Sequence, residues 1–431
     1  MSLLKQQLQA VQKQTAQSQT LAAYEGMIDQ HAVDAAFLWL LRSQVVSDST
    51  LYGAEDIAEL DQRIAAHLRG LFSAGRIGWE ISLNQLEFEE AGETFVAAVV
   101  AFLSSDANKM KLVCEKARGN SEMTLGLISA FGWINDAIAT QWSERFLSVK
   151  DAYYRYLGIA ACSIRRIDPQ QQLTRLLQDP EVLEQDAQLH ARCLRLIGEM
   201  KRHDLVPALN QAMNADDPDI KFWAYWSAAL LGNQAAVAHL KPYVVESDQY
   251  HETALNMIFN TLSVERSREW LSELSKDPGN LRTLIKAAAI SGDTQVIPWL
   301  IQQMHDPKFA RIAGLSLSMM TGVDLEASKL DKAVEIAFED NPEGEIEDDA
   351  VNEDSDLPWP DPIRIRSWWD KQASSYQPTE RYFLGKVIDA DALKSAMQNG
   401  NQRQRSDAAL KLAVLESNTI LHNTAVPSVK L

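Results

Sequence analysis

An all-α superhelix of stacked helical hairpins is what this sequence predicts, and three observations carry that prediction. Positions suited to ending a helix recur at Gly132, Ile167, Gly198, Gly232, Ser263, Gly292 and Gly322, at gaps of 35, 31, 34, 31, 29 and 30 residues. Such a gap holds two helices of about ten to twelve residues and two turns. Six of the fourteen prolines follow Asp, and Asp179, Asp217, Asp277 and Asp306 fall between successive landmarks. Asp is a good N-cap and Pro fits the first helical position, so each pair suits a helix start. Finally, DPDIKFWAYWSAALLG at 217–232 aligns without a gap on 306–321. Ile220, Ala224, Ala228 and Leu231 match Phe309, Ala313, Leu317 and Met320, one helix face in each case.

Taken in order, residues 1–23 form a Gln-rich arm with Leu4, Leu8 and Val11 on a thin stripe, expected to be a poorly ordered terminus. Residues 24–108 read as an N-terminal helical domain. HAVDAAFLWLLRSQ is expected to pack Val33, Phe37, Leu38 and Leu41 together. Ile57, Leu60, Ile64, Leu68 and Leu71 hold helical spacing in the next segment, which Gly75 ends. GETFVAAVVAFLSS is a third apolar helix, and Ile77–Glu90 is read as a connection. The repeat array spans 109–330, with 293–325 its clearest hairpin. There Asp293 caps the first helix, whose stripe is Ile297, Leu300, Ile301 and Met304. Asp306-Pro307 starts the second helix and Gly322 stops it. An acidic, Pro-containing linker or loop covers 331–362. The block 363–431 reads as a capping set of helices broken at Gly400, with Gln404, Ala408, Leu412 and Leu415 along the last one. An array end needs a cap because its outer face meets water.

The formal net charge is -18, which argues against a nucleic-acid partner. It is unevenly spread. Residues 333–361 hold twelve acids and no Lys or Arg, leaving 47 acids against 41 bases, or -6, elsewhere. Acidic runs repel themselves and stay extended. EIEDDAVNEDSD lacks the spacing and central Gly of a helix–loop–helix calcium site. Cys114, Cys162 and Cys193 are scattered and odd in number, which suits reduced thiols in a cytoplasm. The longest apolar run, Phe95–Leu103, is too short to span a bilayer, so no membrane role is expected.

No catalytic signature emerges, and no catalytic residue, metal or cofactor is assigned. No P-loop lysine motif is present, and GLSLSMMTG misses the nucleophile-elbow pattern, with its serines inside a repeat helix. His251-Glu252 opens like a zinc-protease motif, but Leu255 and Asn256 stand where a second His is needed. Asp61, Arg63 and His67 make the nearest polar constellation. Helix-surface or inter-helix hydrogen bonds explain it better than acid–base catalysis, and the same holds for Asp34 and Arg42.

Aromatic residues are the better functional signal. At 100° per residue, Phe222 and Trp226 fall opposite the face of Ile220, Ala224, Ser227, Ala228 and Leu231, with Tyr225 beside them. Two readings stand. They form a protein-binding hot spot, or a neighbouring repeat covers them, the weightier reading because buried Trp is common. Trp368 and Trp369 carry the same two readings, binding residues or anchors for the C-terminal block.

The Asp-Pro-x-apolar-basic start and Ala-Leu-Gly end of these helices resemble the HEAT-like repeats. HAVDAAFLWLLR at 31–42, LDQRIAAHLRGL at 60–71, GETFVAAVVAF at 92–102, AGLSLSMMTGVDL at 313–325, DPIRIRSWWD at 361–370, RYFLGK at 381–386 and NGNQRQRSDAALKLAV at 399–414 carry a wider resemblance. It is to a proteobacterial family of HEAT-like repeat proteins whose genes often lie beside those of type VI secretion, near spike and tip proteins. What the resemblance implies is a protein-binding scaffold or adaptor in cargo loading, with spike, tip or effector proteins as partners. No catalytic residue comes with it. Two other classes stay open: an enzyme with its site on the inner face of the superhelix, and an immunity-like protein that blocks one effector.

Overall fold

The computed structural model describes residues 2–179, 183, 186–246, 249–332 and 354–431, as backbone alone for 2–23 and 246. Among them every regular element is helical apart from one two-residue β-hairpin and a few isolated bridge residues, Asp331 with Pro360 among them. The chain is thus all-α, of the solenoid class. By packing it falls into two compact units, residues 1–193 with 425–431, and residues 194–424. This division differs from the one that composition suggests.

The first unit holds α1 (Ser2–Asp48), α2 (Ala54–Ser73), α3 (Arg76–Gln85), α4 (Ala91–Ser104), α5 (Ala107–Ala117), α6 (Ser121–Trp133), α7 (Asp136–Ser148), α8 (Ala152–Arg165) and α9 (Gln171–Leu177). Helix α4 is its axis, buried without a break from Thr94 through Phe102. Small residues let its neighbours close in. A Cβ on Gly92 would lie 2.9 Å from the Ala36 carbonyl oxygen, and one on Gly126 2.1 Å from that of Ala91. Helices α1, α4 and α6 therefore run side by side with backbones nearly touching. Aromatics fill the remaining space: Trp39 stacks on Phe95 at 5.2 Å, and Phe102 meets Phe131 at 4.5 Å. Polar side chains start the later helices. Asp106, Asn120, Asn135 and Asp151 each accept from the first-turn N–H groups of α5 to α8.

Two expectations for this unit are corrected. Ile77–Glu90 is mostly helix α3 and a 3-10 turn, Leu86–Phe88. Gly75, at φ 61°, ends α2 and opens α3 at once, so no loop is needed. In α1 the inward side is Ile28, Ala32, Ala35, Leu38 and Trp39, while Val33 and Phe37 face outward. The helix is apolar on two sides. Periodicity fixes a stripe but not which stripe meets the neighbours, and the alanine side wins because it allows the close approach to Gly92. Residues 2–23 continue the backbone of α1.

Helix α10 (Ala187–Glu199) leads into the second unit. There follow α11 (Val206–Ala212), α12 (Pro218–Leu230), α13 (Gln234–Ala238), α14 (Lys241–Glu246), α15 (His251–Thr261), α16 (Val264–Leu274), α17 (Leu281–Ser291), α18 (Ile297–Gln303) and α19 (Ala310–Thr321). The C-terminal part adds α20 (Pro362–Gln372), the hairpin β1 (Tyr382–Phe383) and β2 (Lys386–Val387), α21 (Ala390–Asn399) and α22 (Gln402–Leu415). The seven landmarks each fall within two residues of a helix end. The aligned repeats share a device. Ser227 Oγ donates to the Leu194 carbonyl at 2.7 Å, and Ser316, its aligned partner, donates to that of Ile285 at 3.2 Å. A small hydroxyl thus stitches each helix to its counterpart one repeat earlier.

Ile297, Leu300, Ile301 and Met304 are buried as expected. Asp217 caps α12 with Pro218 in its first turn. Asp306 behaves differently. Its carboxylate takes the Lys308 N–H at 2.9 Å, and this tight turn delays the regular helix to Ala310. Gly292 and Gly322 do end their helices in the left-handed region, at φ 69° and 71°. There the C-terminal hairpin docks. Tyr382 N–H donates to Gly292 O, and Leu384 and Gly385 donate to Met319 and Met320 O. The acidic linker reading concerns residues that lie mostly outside those described.

Candidate protein-binding surfaces

Phe222 and Trp226, expected either to bind a partner or to be covered, are both buried. The Phe222 ring stacks on Tyr250 at 3.8 Å and meets Tyr243 edge-on at 5.0 Å, both from the segment after α13. Trp226 packs against Trp223 at 5.4 Å. Half-buried Tyr225 stacks on His239 at 4.6 Å and donates to the Met213 carbonyl at 3.3 Å. Truncating a wholly buried Phe to Ala costs about 3–5 kcal/mol, so a change at Phe222 reports on folding and not on docking. Trp369 is buried with Leu325, Leu330 and Ile365, and Trp368 packs partly against the same cluster. These two anchor α20 to the repeats, a role the sequence left open.

The polar constellation separates. Asp61 and Arg42 are buried and form an ion pair with each other. The last residues explain why. Asp61 Oδ2 accepts from the Ser428 N–H at 2.6 Å, and Arg42 Nη2 donates to the Ala425 carbonyl at 3.1 Å. Leu431 continues the attachment, donating to Trp133 O and accepting from Asn135 N–H. Arg63 is exposed. His67 instead sits 3.0 Å from His31, Nδ1 to Nδ1, with Asp34 at 3.8 Å. Burial lowers the His67 pKa, against the pull of Asp34. His251 bonds the Val244 carbonyl at 2.7 Å, and Glu252 pairs with Lys286. Among the described residues no group of three or more His, Cys, Asp or Glu is placed to hold a metal.

Displaced pKa values often mark function, and burial lowers Lys411 to about 7, Lys201 to about 8 and Lys430 to about 8. Each of these lysines is committed to the end of a helix. Lys201 donates to Leu230 O and Ala413 O, the closing carbonyls of α12 and α22. Lys411 donates to Ile290 O and to Asn260 Oδ1. Lys430 donates to Gly132 O at the end of α6. Arg381 goes further, spending its guanidinium on Phe259, Asn260, Leu262, Ile290 and Ser291 carbonyls. A positive charge at a helix C-terminus offsets the helix dipole and satisfies orphan carbonyls. These groups are structural caps, and Lys411 and Arg381 each join the ends of α15 and α17.

The second unit has a groove of about 780 Å³ where the α15–α16 turn meets the C-terminal block. Leu262, Val387 and Leu415 are among its apolar lining, and Glu265, Arg266, Glu380 and Arg381 are its charged lining. Val387 is 41 % exposed and Leu415 51 %. Ser263 sets the turn by accepting the Arg266 N–H. The groove escaped sequence reading because its walls come from residues 234, 261–266, 379–388 and 415, brought together by tertiary packing. Ser263 and Leu415 were visible one by one, as a repeat landmark and as part of a helix stripe, but not as neighbours.

A family model for HEAT repeats matches residues 181–258. The protein carries HEAT-like repeats. The match covers α10 to α15, where the Ser227 stitch and the Asp217 cap lie. Neither a curated protein nor a solved structure matches the chain. Repeats of this kind generally serve protein–protein interaction. No helix among the described residues is long and apolar enough to cross a membrane.

Proposed function

We propose that this HEAT-like protein is a binding scaffold or adaptor in the cytoplasm. The groove at Leu262, Val387 and Leu415 is its docking point for a segment of a partner protein. The observation that carries the reading is the composition of that groove. Two exposed apolar side chains stand beside an Arg and a Glu, the apolar-centre, polar-rim pattern of protein interfaces. The finer part of the proposal, an accessory role in loading type VI secretion cargo, rests on the sequence resemblance alone.

The test is direct binding by calorimetry between this protein and purified spike, tip and effector proteins of its own bacterium. A Val387→Asp/Leu415→Asp variant is run beside the wild type. Binding at least tenfold weaker in the variant, about 1.4 kcal/mol, with an unchanged melting curve, supports both parts. Failure of the wild type to bind any secretion component removes the cargo-loading role. Equal binding by both proteins moves the docking point away from this groove.

A further inference from the structure

Helix α1 has an outer seam that stays exposed among the described residues. Gly26, Gln30, Val33, Phe37, Leu40, Gln44 and Ser47 follow one another at alternating steps of four and three residues, and all are exposed. Alternate steps of four and three define the seam of a two-helix coiled coil. The centre is strongly apolar, with Val33 46 %, Phe37 64 % and Leu40 50 % exposed. None of the seven seam positions is charged.

The seam reads nearly the same in both directions about Phe37. Val33 lies four residues before and Leu40 three after; Gln30 and Gln44 lie seven to either side. Two copies crossing antiparallel at Phe37 set Phe37 on Phe37 and Gln30 on Gln44, with Val33 one residue from level with Leu40. That is the self-complementary pattern a two-fold interface requires. Charge selects the same direction. Glu25, Asp29, Asp34 and Asp48 flank the seam. A parallel pair sets each acid beside its own copy. The antiparallel pair sets Asp29 opposite Val45, Asp34 opposite Leu40, and Glu25 and Asp48 opposite Ser49 and Gly26, all uncharged. Like charges directly opposed are destabilising.

We propose that α1 is a self-association surface through which two copies of this chain pair antiparallel along Val33, Phe37 and Leu40. An apolar centre of about two turns buries less than the about 1,200 Å² of a standard stable interface, so the dimer is weak and forms reversibly with concentration. A partner held at the groove would then be presented twice.

Sedimentation equilibrium over a wide concentration range tests the pairing. Wild type is expected to shift from monomer to dimer, and Phe37→Glu to stay monomeric with an unchanged circular-dichroism melt. Cysteine cross-linking tests the direction. Mixing Gln30→Cys with Gln44→Cys protein under mild oxidation should give a disulfide-linked pair. Either variant alone should not, because equal positions then sit fourteen residues apart along the seam, roughly 21 Å. Disulfides form only below about 7 Å between Cα atoms. The native cysteines are buried and do not interfere. A wild type that stays monomeric throughout, a dimer untouched by Phe37→Glu, or cross-linking of Gln30→Cys to itself overturns the proposal.

Discussion

Lys411 shows what a single buried charge does here. Its ammonium lies 2.7 Å from Asn260 Oδ1 and 3.1 Å from the Ile290 carbonyl. Burial first, and the neighbouring Arg381 next, push its pKa down to about 7 from the ordinary lysine value of 10.5. Below about pH 7 both folded and unfolded chains hold the proton. From there to 10.5 the unfolded chain alone holds it, so Lys411 adds stability as pH rises, in full above 10.5. That contribution is lost as pH falls through 7. Lys411→Met has no such titration. The stability of wild type relative to the variant is therefore expected to grow between pH 7 and 10 in denaturant unfolding. A constant difference across that window contradicts the assignment. Nothing in DAALKLAVL marks this lysine as buried, because a charge in a helix reads as surface until its neighbours are known. Phe222 errs the opposite way. It looks outward by helical angle, yet Tyr243 and Tyr250 of the following segment close over it.

At the scale of the element, the repeat was legible in detail. The landmarks mark helix ends because a helix must stop where its backbone turns, and Gly292 and Gly322 stop it in the left-handed region. The gap-free alignment of 217–232 on 306–321 holds at the level of one hydrogen bond, Ser227 to Leu194 and Ser316 to Ile285. A methyl cannot replace that hydroxyl. A Cβ on Gly198 would already lie 2.6 Å from Ser227 Oγ, so the two helices have no room to spare. Ser227→Leu is expected to cost about 1–3 kcal/mol by overpacking, and Ser316→Leu a similar amount. The exposed Ser272→Leu should change stability by less than about 0.5 kcal/mol. Thermal melts of the three variants check this, and equal losses at all three positions would deny the stitch. Where element reading missed, in α3 and at Asp306, the local signals were correct but incomplete. Gly75 joins two helices without a loop, and Asp306 makes a turn before it makes a helix.

For the whole molecule, the last seven residues matter more than their sequence suggests. AVPSVKL has no helical pattern, yet it ties to Arg42, Asp61, Gly132, Trp133 and Asn135 of the first unit. Asp61→Asn leaves buried Arg42 without its counter-charge, a loss of about 3–5 kcal/mol. Removing residues 425–431 should lower the melting temperature and speed hydrogen exchange at the Trp133–Asn135 end of α6. Unchanged exchange there would show that the tail merely rests on the surface.

What the sequence by itself determined is the repeat: its period, most of its helix ends, its capping residues and its inward stripe, all set by local backbone chemistry and periodicity. What only the tertiary structure decided is which side of a two-sided helix is covered and which distant segments meet. Phe37 and Trp39 are two residues apart in one helix, and only the Ala36–Gly92 contact turns one inward and the other out. The groove at Val387 and Leu415, the helix-end cations and the C-terminal strap join residues far apart in the chain. Burial depends on what packs there, and no local pattern records it.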